Sequence, residues 1–446
     1  MIVMKFGGSS VANRAQIDKV RHIVAGVKDR GPVVVSSAHK GVTDALINAA
    51  KAAASGERDS GEAVIAKQQE IATSLECPAD LLDTHYDEIR DLLRGIRLVG
   101  ELSPRSLDYI SSFGERMSVR CIADFFTRQG LKAQAFDAWD LGFITDGKFG
   151  RARPLPDFPE RLRQAFAEHV PAGVVPIVTG FVAKNERGEI TTLGRNGSDL
   201  TASLVGAALR VEEVQIWSDT NGVMTADPGI VAGAQSIPHM RFDEAAELAF
   251  FGSRVLHPAT LLPAIEADII VRVLNTNHPD HPGTAISANP PGRVAPFTSV
   301  AYKEGQGVLT ISEPRMFESV GFLAKVFTTL AEHGTVIDMV ATSEVSVSVT
   351  SHDIAALKAA EPSLRRYGST ELKEGMSILA VVGRGIHTTP GIGARVMKAL
   401  GDAGVNIEMH SFGMASNNIS LVVEDGAIAK AVPALHEALF EASVSA

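Results

Sequence analysis

The sequence predicts an α/β protein: an open, mostly parallel sheet sandwiched by helices, followed by a duplicated small α+β module. Three observations carry this expectation. The opening of the chain alternates short apolar strands with helices, and several strands are continuous β-branched runs of the kind expected when a parallel strand is covered on both faces. The composition then changes between His278 and Pro296, and two weakly similar β-α-β-β-α rounds follow.

Ile2 to Phe6 reads as a strand ending at Gly7 and Gly8, and Val11 to Val27 as a helix with Ile17, Val20, Ile23 and Val24 at helical spacing. Gly31 and Pro32 break the chain before the strand Val33 to Val35, a loop Ser36 to Thr43 follows, and Asp44 to Ala54 is an Ala-rich helix. Gly56 to Glu101 is helical and charged, with Leu81, Leu82, Ile89, Leu92, Leu93 and Ile96 available for burial and no chemistry evident. Pro104 to Thr127 is a helix carrying SFGERMS. Ala133 to Asp137 and Val174 to Val178 are strands around the basic, glycine-containing loop Asp146 to Arg153 and the helix Phe158 to His169. Leu200 to Leu209 and Phe242 to Phe251 are helices, Val211 to Trp217 a strand, and Ile269 to Leu274 the last strand of a first domain expected over 1–290. Two modules of ferredoxin-like type are expected over 298–374 and 375–446, with nesting of one inside the other as the alternative.

The 446 residues suffice for two or three domains without a disulfide or metal staple. Forty-two Lys and Arg against 52 Asp and Glu give a net charge of −10, which argues against a general affinity for nucleic acid or anionic membrane. Cys77 and Cys121 are far apart in sequence and lack neighbours at metal-ligand spacing, so neither a disulfide framework nor a zinc site is expected. A reducing cytoplasm, without export or membrane insertion, is the expectation.

Chemistry concentrates in Thr191–Ser203, TTLGRNGSDLTAS. Asn196, Gly197 and Ser198 turn the backbone tightly just before a helix, so its N–H groups can hold a phosphate or carboxylate while Arg195 grips a carboxylate. A turn that merely caps the helix is the bland alternative. KFGGSS at Lys5–Ser10 is a second glycine turn, not a Walker sequence, in which Lys5 could neutralise a moving phosphoryl group; an ordinary βα turn is its alternative. Two such loops at strand ends of one sheet would face one crevice. The polar loop Ser218–Gly229 follows a buried strand and is placed to hold a nucleotide. Phosphoryl transfer needs chiefly positioning and charge cancellation, normally with magnesium on the phosphates. Lys5 would hold the phosphoryl and Asp199 orient Lys5 or a metal-bound water, while Arg195 takes a carboxylate and Glu115 an ammonium, together an amino acid. A carboxylate acceptor is ionised at neutral pH and needs no general base. His257 is read as structural and His39 as solvated or a minor contact.

With KFGGSSV, FGERMS, TGF, TTLGRNGSD, IWSDTNGVMTADP, FDEAAELAFFGSRVLHPATL, MFESVGFLAKVF and VIDMVATSEVSVSV in order, the chain resembles aspartate kinases of the amino-acid-kinase family over essentially its whole length. The resemblance implies ATP- and Mg2+-dependent phosphorylation of the β-carboxylate of L-aspartate, the first step toward lysine, threonine and methionine. It puts Lys5, Gly8 and Asp199 at the transferred phosphate, and Thr43, Glu115, Phe181, Arg195 and Ser198 at aspartate. Lys5, Gly7, Gly8, Ser9, Ser218, Asp219, Met224, Asp227 and Arg254 fall to the nucleotide, and metal ligands are left unassigned. The tail resembles paired ACT modules, which implies a homodimer or dimer of dimers. Its resemblance to lysine-inhibited members places a lysine effector at Met316, Ser319, Gly321, Phe322, Leu323, Val336, Asp338, Ser343 and Glu344. The chain departs from the family at Ser9, Asn196, Met224, Gly229 and Arg254, where Thr, Gly, Tyr, Arg and Lys are common. Another amino-acid kinase of the same fold, or a non-catalytic sensor with a decayed nucleotide site, are the rival readings.

Overall fold

Strand β1 (Ile2–Phe6) is buried along its length except at Lys5, which is half-buried at the strand's C-terminal end. In this computed structural model residues 1–251, 258–291, 296–316, 319–413 and 416–441 are described. The chain groups into two units. One takes in Met1–Val223, Pro238–Phe242 and the segment ending at Pro290; the other takes in Met224–Ile237, the helix from Asp243 on, and the remainder of the chain.

In the first unit β1 is followed by α1 (Arg14–Gly26), β2 (Pro32–Ser36), α2 (Val42–Ala54), α3 (Glu62–Ser74), α4 (Asp83–Val99) and α5 (Pro104–Arg128). Then come β3 (Ala133–Phe136), β4 (Ile144–Thr145), α6 (Phe158–His169), β5 (Val175–Thr179), β6 (Val182–Asn185), β7 (Ile190–Thr192), α7 (Gly197–Leu209) and β8 (Glu213–Ser218). β9 (His239–Arg241), α8 (Phe242–Phe250), α9 (Pro258–Glu266), β10 (Ile270–Asn275) and β11 (Thr284–Ser287) complete the sequence of elements, α8 grouping with the other unit from Asp243 on. Eight strands form one sheet in the order β3-β5-β2-β1-β8-β10-β11-β9, with β10 and β11 antiparallel and the other neighbours parallel. Lys5 stands beside Val35 of β2 and Ile216 of β8.

One sheet face is covered by α2, α4 and α5, whose Leu46, Ile89, Phe113 and Phe125 pack with Ile2, Met4 and Phe6. α5 starts where the Ser103 hydroxyl accepts from Ser106 N–H and Pro104 sits in the first turn, a favoured start signal. On the other face α7 lies close against the strands because Gly206 has no side chain; a Cβ there would come 2.5 Å from Val214 Cγ2. A separate small sheet, β4-β6-β7, was not expected from sequence: its strands are too short for an alternating pattern to register.

The second unit is built on one antiparallel sheet in the order β13-β14-β12-β15-β17-β16. Its elements are β12 (Ser299–Ser312), α10 (Phe322–Glu332), β13 (Val340–Thr342), β14 (Ser346–Ser351), α11 (Ile354–Leu364), β15 (Ser369–Val382), α12 (Ile392–Asp402), β16 (Met409–Ser411), β17 (Asn418–Glu424) and α13 (Ile428–His436). β12 and β15 run the length of the sheet and serve two cores. Leu309, Ile311 and Leu372 pack with α10 and α11, whereas Phe297, Val300, Leu379 and Val381 pack with α12 and α13. One α+β module is thus set into the chain of the other, with residues 297–303 grouping with the chain beyond 376.

The stretch after Val223 also belongs to this second core. Ala226 and Val231 pack against Phe297 and Val300, Thr225 Oγ1 meets His436 Nε2 at 2.9 Å, and Ser299 Oγ donates to Met224 O at 2.8 Å.

Candidate active site

The C-terminal ends of β1, β2 and β5, neighbours in one parallel arrangement, open on a cavity of about 620 Å3. This is where an open α/β sheet places ligands. Lys5 reaches in from β1, and Nζ lies 2.5 Å from Asp199 Oδ1 at the start of α7. The two glycine turns separated by nearly the whole first unit therefore converge, as their placement at strand ends requires. Arg195, Asn196, Gly197 and Ser198 line the same cavity with Gly8.

Two helix N-termini border it. α2 begins after Gly41 (φ +74°) and α7 after Asn196 (φ +54°), and neither has a side-chain cap. N–H groups left uncapped at a helix start attract anions. Asn196, where the family commonly has Gly, occupies the left-handed region that Asn tolerates better than most residues. Phe181 is held at φ +66°, a strained setting for an aromatic residue, with its N–H donating to Thr201 Oγ1 at 3.0 Å. Gly180 and Gly197 make this fit possible: a Cβ on the first would lie 2.6 Å from Ser198 Cβ, and on the second 2.7 Å from Phe181.

Glu115 projects from α5 and is 3% exposed. Its Oε1 accepts from Ala38 N–H at 3.1 Å, while Oε2 has no protein partner. Burial pushes its carboxyl up to about 8, with the Ala38 hydrogen bond pulling the other way. A buried carboxylate with a free oxygen on a cavity wall is suited to a ligand cation. Thr43, in the first turn of α2, also lines the wall. Arg195 is exposed and has no ion-pair partner among the described residues.

Asp108 is the site residue that sequence reading missed. It is 3% exposed; Oδ2 accepts from Gly150 N–H and Thr192 N–H, both at 2.8 Å, and Oδ1 from the Thr192 hydroxyl at 2.9 Å. Burial raises its carboxyl while these three bonds lower it. It ties α5 to the Gly150 loop and to β7, and its signal was its spacing: Asp108 lies two helical turns before Glu115, on the same face. His39 requires a correction. It is 1% exposed rather than solvated, because α3 closes over it and Gln68 Oε1 meets Nδ1 at 3.1 Å.

The residues expected at the nucleotide come from several segments of the chain, in both units. Gly7 and Ser9 flank Gly8 in its loop, with Gly7 N–H donating to Trp217 O at 3.4 Å. Ser218 ends β8, the strand next to β1, and Asp219 follows it, where Asp219 O accepts from Asn275 Nδ2. Met224 and Asp227 lie in the second unit; Asp227 Oδ2 accepts from the Tyr302 hydroxyl at 3.0 Å and Oδ1 from Gly229 N–H at 2.8 Å, so both oxygens are committed to protein groups. Arg254 and His257 lie outside the described residues.

The residues expected at an effector fall on the two flanks of α10 and on both ends of β13. Gly321 (φ +82°) precedes the helix, and Ser319, Leu323, Val336, Ser343 and Glu344 are exposed, with Met316 half-buried. Phe322 is instead turned into the module core, at the position where the helix's apolar stripe begins. Asp338 is already paired: Oδ2 lies 2.9 Å from Lys303 Nζ and 3.5 Å from His352 Nδ1.

The amino acid kinase family profile matches residues 1–275, and an ACT domain profile matches residues 379–439. The chain is 34% identical to the lysine-sensitive aspartokinase 3 of Escherichia coli over 99% of both chains. The chain belongs to the aspartokinases of the amino acid kinase family. It is also 38% identical to the chloroplastic aspartokinase 2 of Arabidopsis thaliana, over 98% of this chain and 84% of the relative. Among solved structures, E. coli aspartokinase III in complex with aspartate and ADP, in the R-state, matches with a TM-score of 0.84 at 33% identity, covering 99% of this chain and 100% of that one. The same enzyme in complex with lysine and aspartate, in the T-state, matches with a TM-score of 0.75 at 33% identity over 99% of each chain. An aspartokinase with ACT modules is a phosphotransferase under allosteric control, and no helix among the described residues is long and apolar enough to cross a membrane.

Proposed function

We propose that this aspartokinase transfers the terminal phosphoryl group of ATP to the β-carboxylate of L-aspartate in the cavity at the ends of β1, β2 and β5, and that lysine restrains it through the module containing Asp338. The Lys5–Asp199 pair in a cavity that also holds the unpartnered Glu115 oxygen carries this reading. Lys5 offsets the charge that builds on the travelling phosphoryl group, and Asp199 fixes where its ammonium sits. Gly8 lets its loop lie close against the Ala38–Lys40 backbone, where a Cβ would come 3.1 Å from Ala38 O, and puts no side chain between that loop and the phosphates. Glu115 takes the ammonium of aspartate, with Thr43 beside it, and Arg195 takes a carboxylate, so the substrate is gripped at both charged ends. Ser198 and Phe181 shape the wall between.

The acceptor oxygen is already anionic, which leaves no proton for the protein to remove. Magnesium fits here as an ion carried on the phosphates, with Asp199 the carboxylate beside Lys5, since such ions are held by one or two carboxylates together with substrate oxygens. When bound it would supply further charge cancellation on the β- and γ-oxygens. Support for lysine control comes from the E. coli relative crystallised with lysine, and from the buried Asp338 carboxylate paired with Lys303.

The test is hydroxylamine trapping of the acyl phosphate together with ADP release, for aspartate, glutamate and N-acetylaspartate as acceptors. Aspartate alone should give both products, and lysine should suppress them. Absence of turnover with aspartate at millimolar ATP and magnesium would overturn the reading.

A further inference from the structure

The chain has two cysteines, and although 44 positions separate them the fold brings the Cys77 thiol against Cys121. Cys77 lies three residues past the end of α3, where its N–H closes the helix end by donating to Ala72 O at 3.0 Å. Cys121 lies within α5 and is fully buried. Cys77 Sγ donates to Cys121 O at 3.9 Å, and the neighbouring Cys121 side chain draws the Cys77 thiol down against the burial that raises it. Arg128, with Nη2 4.0 Å from Cys77 Sγ, favours the thiolate further, against the opposing charge of Asp124. Cys121, sealed from solvent, keeps its proton. A half-exposed sulfur beside an arginine, backed by a buried one, is the arrangement of an attacking and a resolving thiol.

The pair is wired to the cavity. Gln68 of α3 is fully buried; its Nε2 donates to Cys121 Sγ at 3.7 Å and its Oε1 meets His39 Nδ1 at 3.1 Å. Burial holds His39 down at about 4, so the ring is neutral at pH 7 and Nδ1–H is the donor to Gln68. The next residue back, Ala38, gives its N–H to Glu115 Oε1 at 3.1 Å. Glu115 and Cys121 share α5, so both the helix and the Gln68–His39 bridge connect the thiols to the wall that would hold the ammonium of aspartate.

We propose that Cys77 and Cys121 are a peroxide-responsive dithiol whose closure to a disulfide loosens that wall. The Cys77 thiolate attacks a peroxide oxygen, the O–O bond breaks, and the displaced oxygen leaves as water or alcohol, giving a sulfenic acid at Cys77. Cys121 sulfur then attacks Cys77 sulfur, the S–O bond breaks, and the Cys121 proton departs with the hydroxide as water. Two thiols lose two electrons and two protons, and one peroxide is reduced. As Cys121 Sγ is drawn toward Cys77 to form the bond, its 3.7 Å contact with Gln68 Nε2 is stretched, Gln68 shifts the His39 loop, and Ala38 holds Glu115 less firmly. The effect on aspartate rests on the function proposed above; the disulfide does not.

The full-length protein is treated with hydrogen peroxide, then assayed for thiols after denaturation, for intact mass, and for KM of aspartate, before and after dithiothreitol. The expected result is loss of both thiols, a mass lower by about 2 Da, a single peptide pair joined through Cys77 and Cys121, and a KM about three- to tenfold higher that dithiothreitol restores. Cys77→Ser and, separately, Cys121→Ala should each leave KM insensitive to the same treatment, and either variant suffices if the other does not fold. Cys77 advancing to a sulfinic acid with Cys121 still titratable, disulfides between chains, or an oxidised protein with unchanged KM would overturn the proposal. A reduced protein that turns over no aspartate would overturn the function and leave the thiol count to decide the dithiol.

Discussion

Glu115→Gln separates what this carboxylate does for substrate from what it costs the fold. Burial holds its carboxyl at about 8 in the free protein against an ordinary 4.5. At 1.36 kcal/mol per pKa unit that difference is worth about 5 kcal/mol. The folded state keeps a proton that the unfolded chain gives up above pH 4.5, so this stabilising contribution is complete below about 4.5 and is lost as pH rises to about 8. Glutamine preserves the acceptor for Ala38 N–H and removes the charge. The melting temperature of the ligand-free variant should therefore exceed that of the wild type at pH 9, the excess shrinking toward pH 5. Substrate binding should move the opposite way. The ammonium of aspartate needs the ionised form, and a charge-assisted hydrogen bond is worth roughly 1.5 to 3 kcal/mol, so kcat/KM for aspartate at pH 8 should fall about 10- to 150-fold. In the wild type log kcat/KM should climb with pH and level off near 8, since this ratio reports the free enzyme, and the variant should lack that limb. A variant with the wild-type limb, or with kcat/KM within threefold of wild type, would show that Glu115 does not meet the ammonium.

Lys5→Ala removes the cation 2.5 Å from Asp199, and steady-state assays should show kcat down by about a hundredfold or more while KM for aspartate moves little. Asn196→Gly should unfold at the same denaturant midpoint as wild type or slightly above, whereas Asn196→Val, with a branched side chain forced to φ +54°, should lose about 1 to 2 kcal/mol by urea titration. Asp338→Asn should raise the half-inhibitory lysine concentration by about tenfold or more, because the carboxylate that would take the effector's ammonium is gone.

What could be read in advance followed from local pattern. A strand, a glycine turn and a helix start are signalled within ten residues, which is why Lys5 and Asp199 could be assigned to one crevice before their 2.5 Å contact was known. What could not be read depended on burial by distant chain. Gln68 sits in a stretch that reads as charged helix without chemistry, yet it is fully buried and makes His39 an interior residue. Asp108 looked like one polar residue among several on α5 because its three partners come from Gly150 and Thr192. In the polar, turn-rich chain after Ser218, Ala226 and Val231 are core residues of the second unit, a placement that no local pattern signals. Neither β12 nor β15 reads from the sequence as one long strand, since the polar run at Lys303–Gln306 with Gly305 (φ +70°), and Gly375 (φ +72°) in the partner strand, interrupt the apolar pattern at mid-strand.

Those two glycines belong to a repeat that bears on how many effectors one chain can hold. Seventy residues separate Gly305 from Gly375, Gly321 from Gly391, and the Lys303–Asp338 pair from Lys373–Glu408, and each lysine lies 2.9 Å from its acid. The two modules thus present the same lysine-acid pair, but in different surroundings. Asp338 is 3% exposed in its side chain, and Glu408 is 24% exposed on a longer, more mobile stem. An incoming ammonium must displace a lysine in either case. At Asp338 it enters a site shielded from water, where a charged hydrogen bond is strong; at Glu408 it exchanges one screened surface pair for another, worth about 0 to 1 kcal/mol. Calorimetry should therefore count one lysine per chain, lost in Asp338→Asn and retained in Glu408→Gln. Two equivalent sites per chain would mean that burial of the acid does not select the module.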